Sequence, residues 1–222
     1  MVFAYIVPPW FFRIDSLFEI IFSISTLIIA LTAFKIYSLS KEKNILKFGI
    51  GFLLLAMSYA IWATLNAITI PQLQEKITGV EIAQLLTLSL LGTNIYMMLF
   101  MAGLVTLAYA TFNIHKGGIY YLLLGPTLTV IAVSLEKLIT FRIIAIFFLS
   151  FIAYHYIDSY SIKQNNKTLG ALISFSLLFI ANFIYLFAPL NSLSYVISHG
   201  IELLAYIGLM AVLLRTLQHS SQ

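Results

Sequence analysis

The sequence predicts an all-α, polytopic membrane protein with seven transmembrane helices. Three observations carry that prediction. Of the 222 residues, 61% are hydrophobic and only 9% charged, too little charge to coat a soluble domain of this length. Apolar runs of about twenty residues, enough to cross a ~30 Å hydrocarbon core, recur along the whole chain. Short basic, proline- or glycine-containing turns separate these runs. Runs of that length satisfy their backbone hydrogen bonds in lipid as helices.

Taken in order, residues 1–15 hold Pro8, Pro9 and Trp10 and suit a short segment lying in the membrane interface. They lack a basic n-region and a small-residue cleavage site, so no signal peptide is expected. The first span, 16–38, opens after Asp15-Ser16, a fair N-cap, and closes at S-K-E-K-N-I-L-K. The second, 46–70, is expected to stop at Pro71. The loop Q-L-Q-E-K-I-T-G-V-E, with room for a short interfacial helix, leads to the third span at 84–112. Lys116-Gly117-Gly118 precede the fourth, 119–135, the shortest, in which Gly125-Pro126 predicts a kink. Glu136-Lys137 lead into the fifth, 139–161; K-Q-N-N-K precedes the sixth, 168–190; Pro189 and Asn191 mark the turn into the seventh, 193–217. All of 1–222 forms one integral membrane domain.

The basic residues set the expected orientation. Lys35, Lys41, Lys43, Lys47, Lys116, Lys163, Lys167 and Arg215 collect on one side, and Arg13, Lys76, Lys137 and Arg142 on the other. The positive-inside rule then puts the N-terminus outside and the C-terminus in the cytoplasm, in a multi-pass protein of the cell membrane. An internal repeat is also expected. A-F-K-I-Y-S from Ala33 matches A-Y-H-Y-I-D from Ala153, each followed by a basic turn and a glycine, Gly49 or Gly170. Gly103-Leu104 with Thr111 matches Gly208-Leu209 with Thr216. The plan is 3+1+3: a first repeat over 16–112, a linker helix over 119–135 and a second repeat over 139–217. Parallel repeats of this kind place a site near the midplane at their interface.

The last span carries His199 and Glu202 three residues apart, on one helical face. Glu202 falls roughly 14 Å into the membrane at 1.5 Å per residue, where an acid is expensive and needs a partner. Glu202, His199, Asn94, Asn182, Tyr185 and Trp62 are the candidate ligand- or ion-binding residues, converging on an outward-facing polar cavity. Asn66, Tyr59, Tyr96 and Tyr206 fall at similar depths. Glu19 is expected to anchor the interface, and for the asparagines interhelical glue, each contributing about 0.6 kcal/mol, is preferred over a site role. Lys35 can snorkel to the headgroups.

No metal-ligand motif, Walker loop, dinucleotide fingerprint or nucleophile motif is present. The four histidines lie at depths that do not pair for a bis-histidine haem, and there is no cysteine. No enzyme, cofactor, metal or nucleic-acid partner is therefore expected. The lipid bilayer is the expected partner, with other membrane-protein subunits in a second reading.

The stretch Ala33 to Leu54 and the stretch S-H-G-I-E-L-L-A-Y-I-G-L from Ser198 resemble small archaeal membrane proteins built from three-helix units. The resemblance covers about a third of the chain by loose motifs and implies no activity. The 3+1+3 plan is similar to that of microbial rhodopsins, SWEET sugar transporters and PQ-loop carriers, without their motifs. The last span has no lysine, so a retinal Schiff base cannot form there. Three functions remain: binding or carrying a small solute or ion, a non-catalytic accessory subunit of a larger membrane complex, and a sensor acting through a partner.

Overall fold

The computed structural model describes residues 11–74, 79–113 and 117–220. It is all-helical over these residues: α1 (Phe12–Ser40), α2 (Lys43–Gln74), α3 (Gly79–Thr111), α4 (Gly117–Val133), α5 (Lys137–Lys163), α6 (Asn166–Tyr185) and α7 (Ser192–Ser220). Six are long and apolar enough to cross a membrane; the seventh, α4, has 17 residues, about 26 Å of helix. The expected interfacial segment up to Trp10, and Lys76, His115 and Lys116 of the loops, lie outside the described residues.

Four boundaries differ from expectation: α3 begins at Gly79 rather than 84, within the stretch expected to be loop, and the other three differ for a local reason. α1 begins at Phe12, so Asp15 sits within its first turn rather than capping it. α2 runs through Pro71 to Gln74; a proline there removes one backbone donor but leaves only a single turn beyond it. α6 stops at Tyr185 rather than near residue 190. Leu186, Phe187 and Ala188 instead donate to carbonyls three residues back, at 3.0–3.2 Å. This tighter winding precedes Pro189, which disfavours α geometry in the residue before it. α1 and α5 both end in a left-handed residue, Lys41 and Gln164, whose N–H returns to a tyrosine carbonyl.

Helices α1, α2, α3, α5, α6 and α7 form a closed ring, each packed on its two neighbours in that order, with α7 returning to α1. α4 lies outside the ring, against α3 and α5. The interior is filled by Phe22, Ile29, Phe52, Met97, Met101, Phe141, Ile152 and Phe175 among others. The perimeter exposes Leu17, Ile24, Leu31, Leu90, Leu91, Phe147 and Leu204, a surface suited to lipid.

Small residues set the closest approach in the ring. A Cβ on Gly103 of α3 would stand 2.8 Å from the Gly51 carbonyl oxygen of α2, a backbone atom that cannot move aside. Such small-residue contacts let membrane helices pack backbone to backbone. Gly103→Ala should therefore cost about 1–3 kcal/mol, whereas Gly125→Ala on α4, facing open space, should cost nothing. Unfolding in mixed micelles, followed by tryptophan fluorescence, measures both. Equal tolerance would sink the close-packing account.

Candidate functional site

The polar residues inside the ring gather at the end where α1, α5 and α7 begin and α6 ends. Asp15, Glu19, His199 and Glu202 are 2%, 4%, 1% and 2% exposed, so three carboxyl groups and an imidazole share one nearly dry space. Asp15 and Glu19 are one turn apart on the α1 face that continues inward through Phe22, Thr26 and Ile29, all buried. The positive ends of the α1 and α7 dipoles favour carboxylates here, most directly Asp15 in the first turn.

His199 is the hub. Its Nε2 lies 3.1 Å from Asp15 Oδ1 and 3.5 Å from Glu19 Oε1. Its Nδ1 lies 3.0 Å from the Tyr195 carbonyl oxygen and 2.7 Å from the Tyr185 hydroxyl. A carbonyl only accepts, so Nδ1 carries the hydrogen. The rings of Phe11, Phe18, Phe22, Tyr185 and Tyr195 surround the imidazole at 4.4–5.8 Å between centroids and fix its plane. Asp15 also accepts from the Tyr195 hydroxyl at 2.8 Å and from Asn66 Nδ2 at 3.3 Å. Among the described residues, Glu19 Oε2 and His199 Nε2 have no hydrogen-bond partner, Nε2 meeting the two acids only as ion-pair contacts.

Glu202 lies deeper and is held by hydroxyls. Tyr185 donates to its Oε2 at 3.1 Å, and Tyr59 of α2 donates to its Oε1. Tyr206 stands 2.7 Å from the Tyr59 hydroxyl and 3.4 Å from Glu202 Oε1. Tyr185 thus joins both groups, bonding to His199 on one side and Glu202 on the other. A continuous path of polar atoms links Glu202, Tyr185, His199 and the Asp15–Glu19 pair.

Two cations sit near this end of the ring, and of these Arg142 borders the path. Arg142 of α5 donates from Nη1 to Asn182 Oδ1 at 2.9 Å, and its guanidinium lies 3.8 Å over the Tyr185 ring. Asn182 is oriented by donating to the Leu178 carbonyl at 2.9 Å. Lys137 donates to Asn94 Oδ1 at 2.7 Å, and Asn94 donates in turn to the Leu90 carbonyl.

Of the sequence-predicted residues, Glu202, His199 and Tyr185 come together, and Asn182 joins them through Arg142. Asn94 is set apart at the α3–α5 contact with Lys137. Trp62 belongs to an aromatic layer, its ring 4.9 Å from that of Tyr96. Glu19 is no interface anchor, because its side chain is turned into the bundle. The expected open polar cavity is a packed cluster in this structure. The cavity bordering it, where Asn182 and Tyr206 meet Leu104 and Phe175, measures about 10 Å³, room for a single water. Sequence reasoning missed Asp15, Glu19, Arg142 and Tyr195 as members of the cluster. The usable signal was that Asp15 and Glu19 fall on the same helical stripe as Phe22 and Ile29. Asp15, Glu19 and His199 together present ligand atoms within 4.8 Å of one another, a donor set assembled only across α1 and α7. A comparison with protein-family models, curated proteins and solved structures finds none that matches.

Proposed function

We propose that this is a multi-pass protein of the cell membrane, N-terminus outside, that binds a small cation, a proton or a metal ion, in the polar cluster of its outer half. The observation that carries this reading is the burial of Asp15, Glu19 and Glu202 inside the helix ring. Buried carboxylates lose several kcal/mol of hydration each, and well-packed apolar residues usually hold a fold at least as firmly. Charges kept at such depth in a membrane bundle mark ligand or ion sites. The close packing favours an ion over an organic solute.

The cluster lies within the ring rather than on its lipid-facing surface, which favours ligand binding over docking of a second subunit. No catalytic role is proposed. The paired contacts α1·α7 and α3·α5 support the 3+1+3 repeat, because a two-fold arrangement makes both contacts equivalent. α4 would then be the linking span and the orientation the one set by the lysines.

Thermal unfolding of the purified chain in lipid nanodiscs tests the reading. At a hundredfold excess over Kd, a bound cation should raise the midpoint by about 5–10 °C. Sodium, potassium, magnesium, calcium, manganese and zinc ions are compared, and pH is varied from 5 to 8. The triple variant Asp15→Asn, Glu19→Gln, Glu202→Gln should lose the response. A wild-type midpoint indifferent to every cation, protons included, would overturn the reading.

A further inference from the structure

We infer that Asp15, Glu19 and His199 form a binding site for a divalent first-row transition metal, a site that rests on the cation-binding reading above and names its ligand class. The spacing fits. Zinc bonds to imidazole nitrogen and carboxylate oxygen are about 2.0–2.2 Å, which sets tetrahedral ligand atoms about 3.3–3.6 Å apart by geometry. His199 Nε2 stands 3.1 Å from Asp15 Oδ1 and 3.5 Å from Glu19 Oε1. All three ligand atoms lie within 4.8 Å of one another.

The orientation of His199 supplies the independent observation. Nδ1 donates to the Tyr195 carbonyl at 3.0 Å, which leaves Nε2 facing the two carboxylates. A metal-bound histidine is held in just this way, its second nitrogen bonded to a carbonyl. Nε2 is on a side chain 1% exposed and, among the described residues, forms no hydrogen bond. Glu19 Oε2 is likewise buried and without a hydrogen-bond partner among the described residues. An unprotonated Nε2 facing two carboxylates is repelled by them; a proton makes the pair ionic, and a metal ion between the three groups replaces that proton. Bidentate binding by Glu19 would use its unpartnered oxygen as a fourth donor. Tyr195 and Asn66, which donate to Asp15, are the outer partners that orient a ligating carboxylate.

The donor types narrow the metal. One imidazole and two carboxylates suit Zn²⁺, Co²⁺, Fe²⁺ or Mn²⁺, and this donor set holds no sulfur for Cu⁺. Calcium takes six to eight oxygens and magnesium keeps most of its waters, so the aromatic enclosure suits neither.

The test uses the full chain in nanodiscs, stripped with a chelator and titrated with Co²⁺ while its visible absorption is followed. One Co²⁺ per chain should bind, with ligand-field bands of a low-symmetry nitrogen–oxygen site, and Zn²⁺ should displace it. Glu19→Gln and His199→Gln each remove a direct donor and should weaken Co²⁺ by at least the roughly 10–100-fold that loss of an outer partner costs. Asp158→Asn, an exposed carboxylate away from the cluster, should change nothing. Absence of Co²⁺ bands in wild type, or undiminished bands in folded Glu19→Gln and His199→Gln, overturns the metal site. If the midpoint still responds to protons or sodium through the same carboxylates, the cation reading stands without the metal; if nothing binds, both fall.

Discussion

Replacing His199 with leucine is expected to destabilise the metal-free bundle by about 3–5 kcal/mol, the usual cost of removing one partner from a buried ionic group. The imidazole is the nearest counter-group to Asp15 and Glu19, at 3.1 and 3.5 Å. Leucine fills much of its volume, so a cavity contributes little to the loss. What remains is two buried carboxyl groups facing an apolar side chain, and a Tyr185 hydroxyl without its imidazole partner. The same argument predicts rescue. Adding Asp15→Asn and Glu19→Gln to His199→Leu removes the uncompensated charge and should recover more than ~1 kcal/mol, a coupling expected of residues in direct contact. Unfolding in mixed micelles, measured with chelator present, closes the cycle. If the three substitutions simply add, His199 is not the counter-group to these acids.

The helices were legible because their signal is local. An apolar run either spans a bilayer or does not, and the seven segments fell within a few residues of expectation. Boundaries were less legible where a proline competed with packing: Pro71 did not end α2, and the chain tightened ahead of Pro189. On the site, the pair His199–Glu202 could be read because both lie on one helix at a fixed spacing. Asp15, Glu19 and Arg142 could not, because near a helix end an acid or arginine satisfied by the interface looks the same in sequence as one turned inward. Only the ring closure of α1 on α7, and of α5 on α6, separates the two cases. The stripe of Asp15, Glu19, Phe22, Thr26 and Ile29 shows how periodicity distinguishes them once one side of a helix is known to be buried.

Arg142 gives the second large effect. It is partly buried, bonded to Asn182 and laid over the Tyr185 ring, and Glu202 lies within electrostatic reach behind that ring. Asp15, Glu19 and Glu202 carry three negative charges when ionised, and Arg142 is the fixed cation built into the same packed layer. Arg142→Met keeps the length of the stem but removes the charge and the donor to Asn182. Its expected cost is about 3 kcal/mol, the low end for a broken buried ion group because the residue as a whole is only half-buried. Arg142→Lys should recover only part of this, since an ammonium does not reproduce the flat contact with Tyr185. The decisive comparison is Glu202→Gln in the Arg142→Met background. If Arg142 balances Glu202, neutralising the carboxyl should relieve the loss by about 1 kcal/mol or more, beyond the effect of Glu202→Gln alone. If the relief comes instead from Glu19→Gln, the cation serves the outer pair, and Glu202 is held by its tyrosines alone.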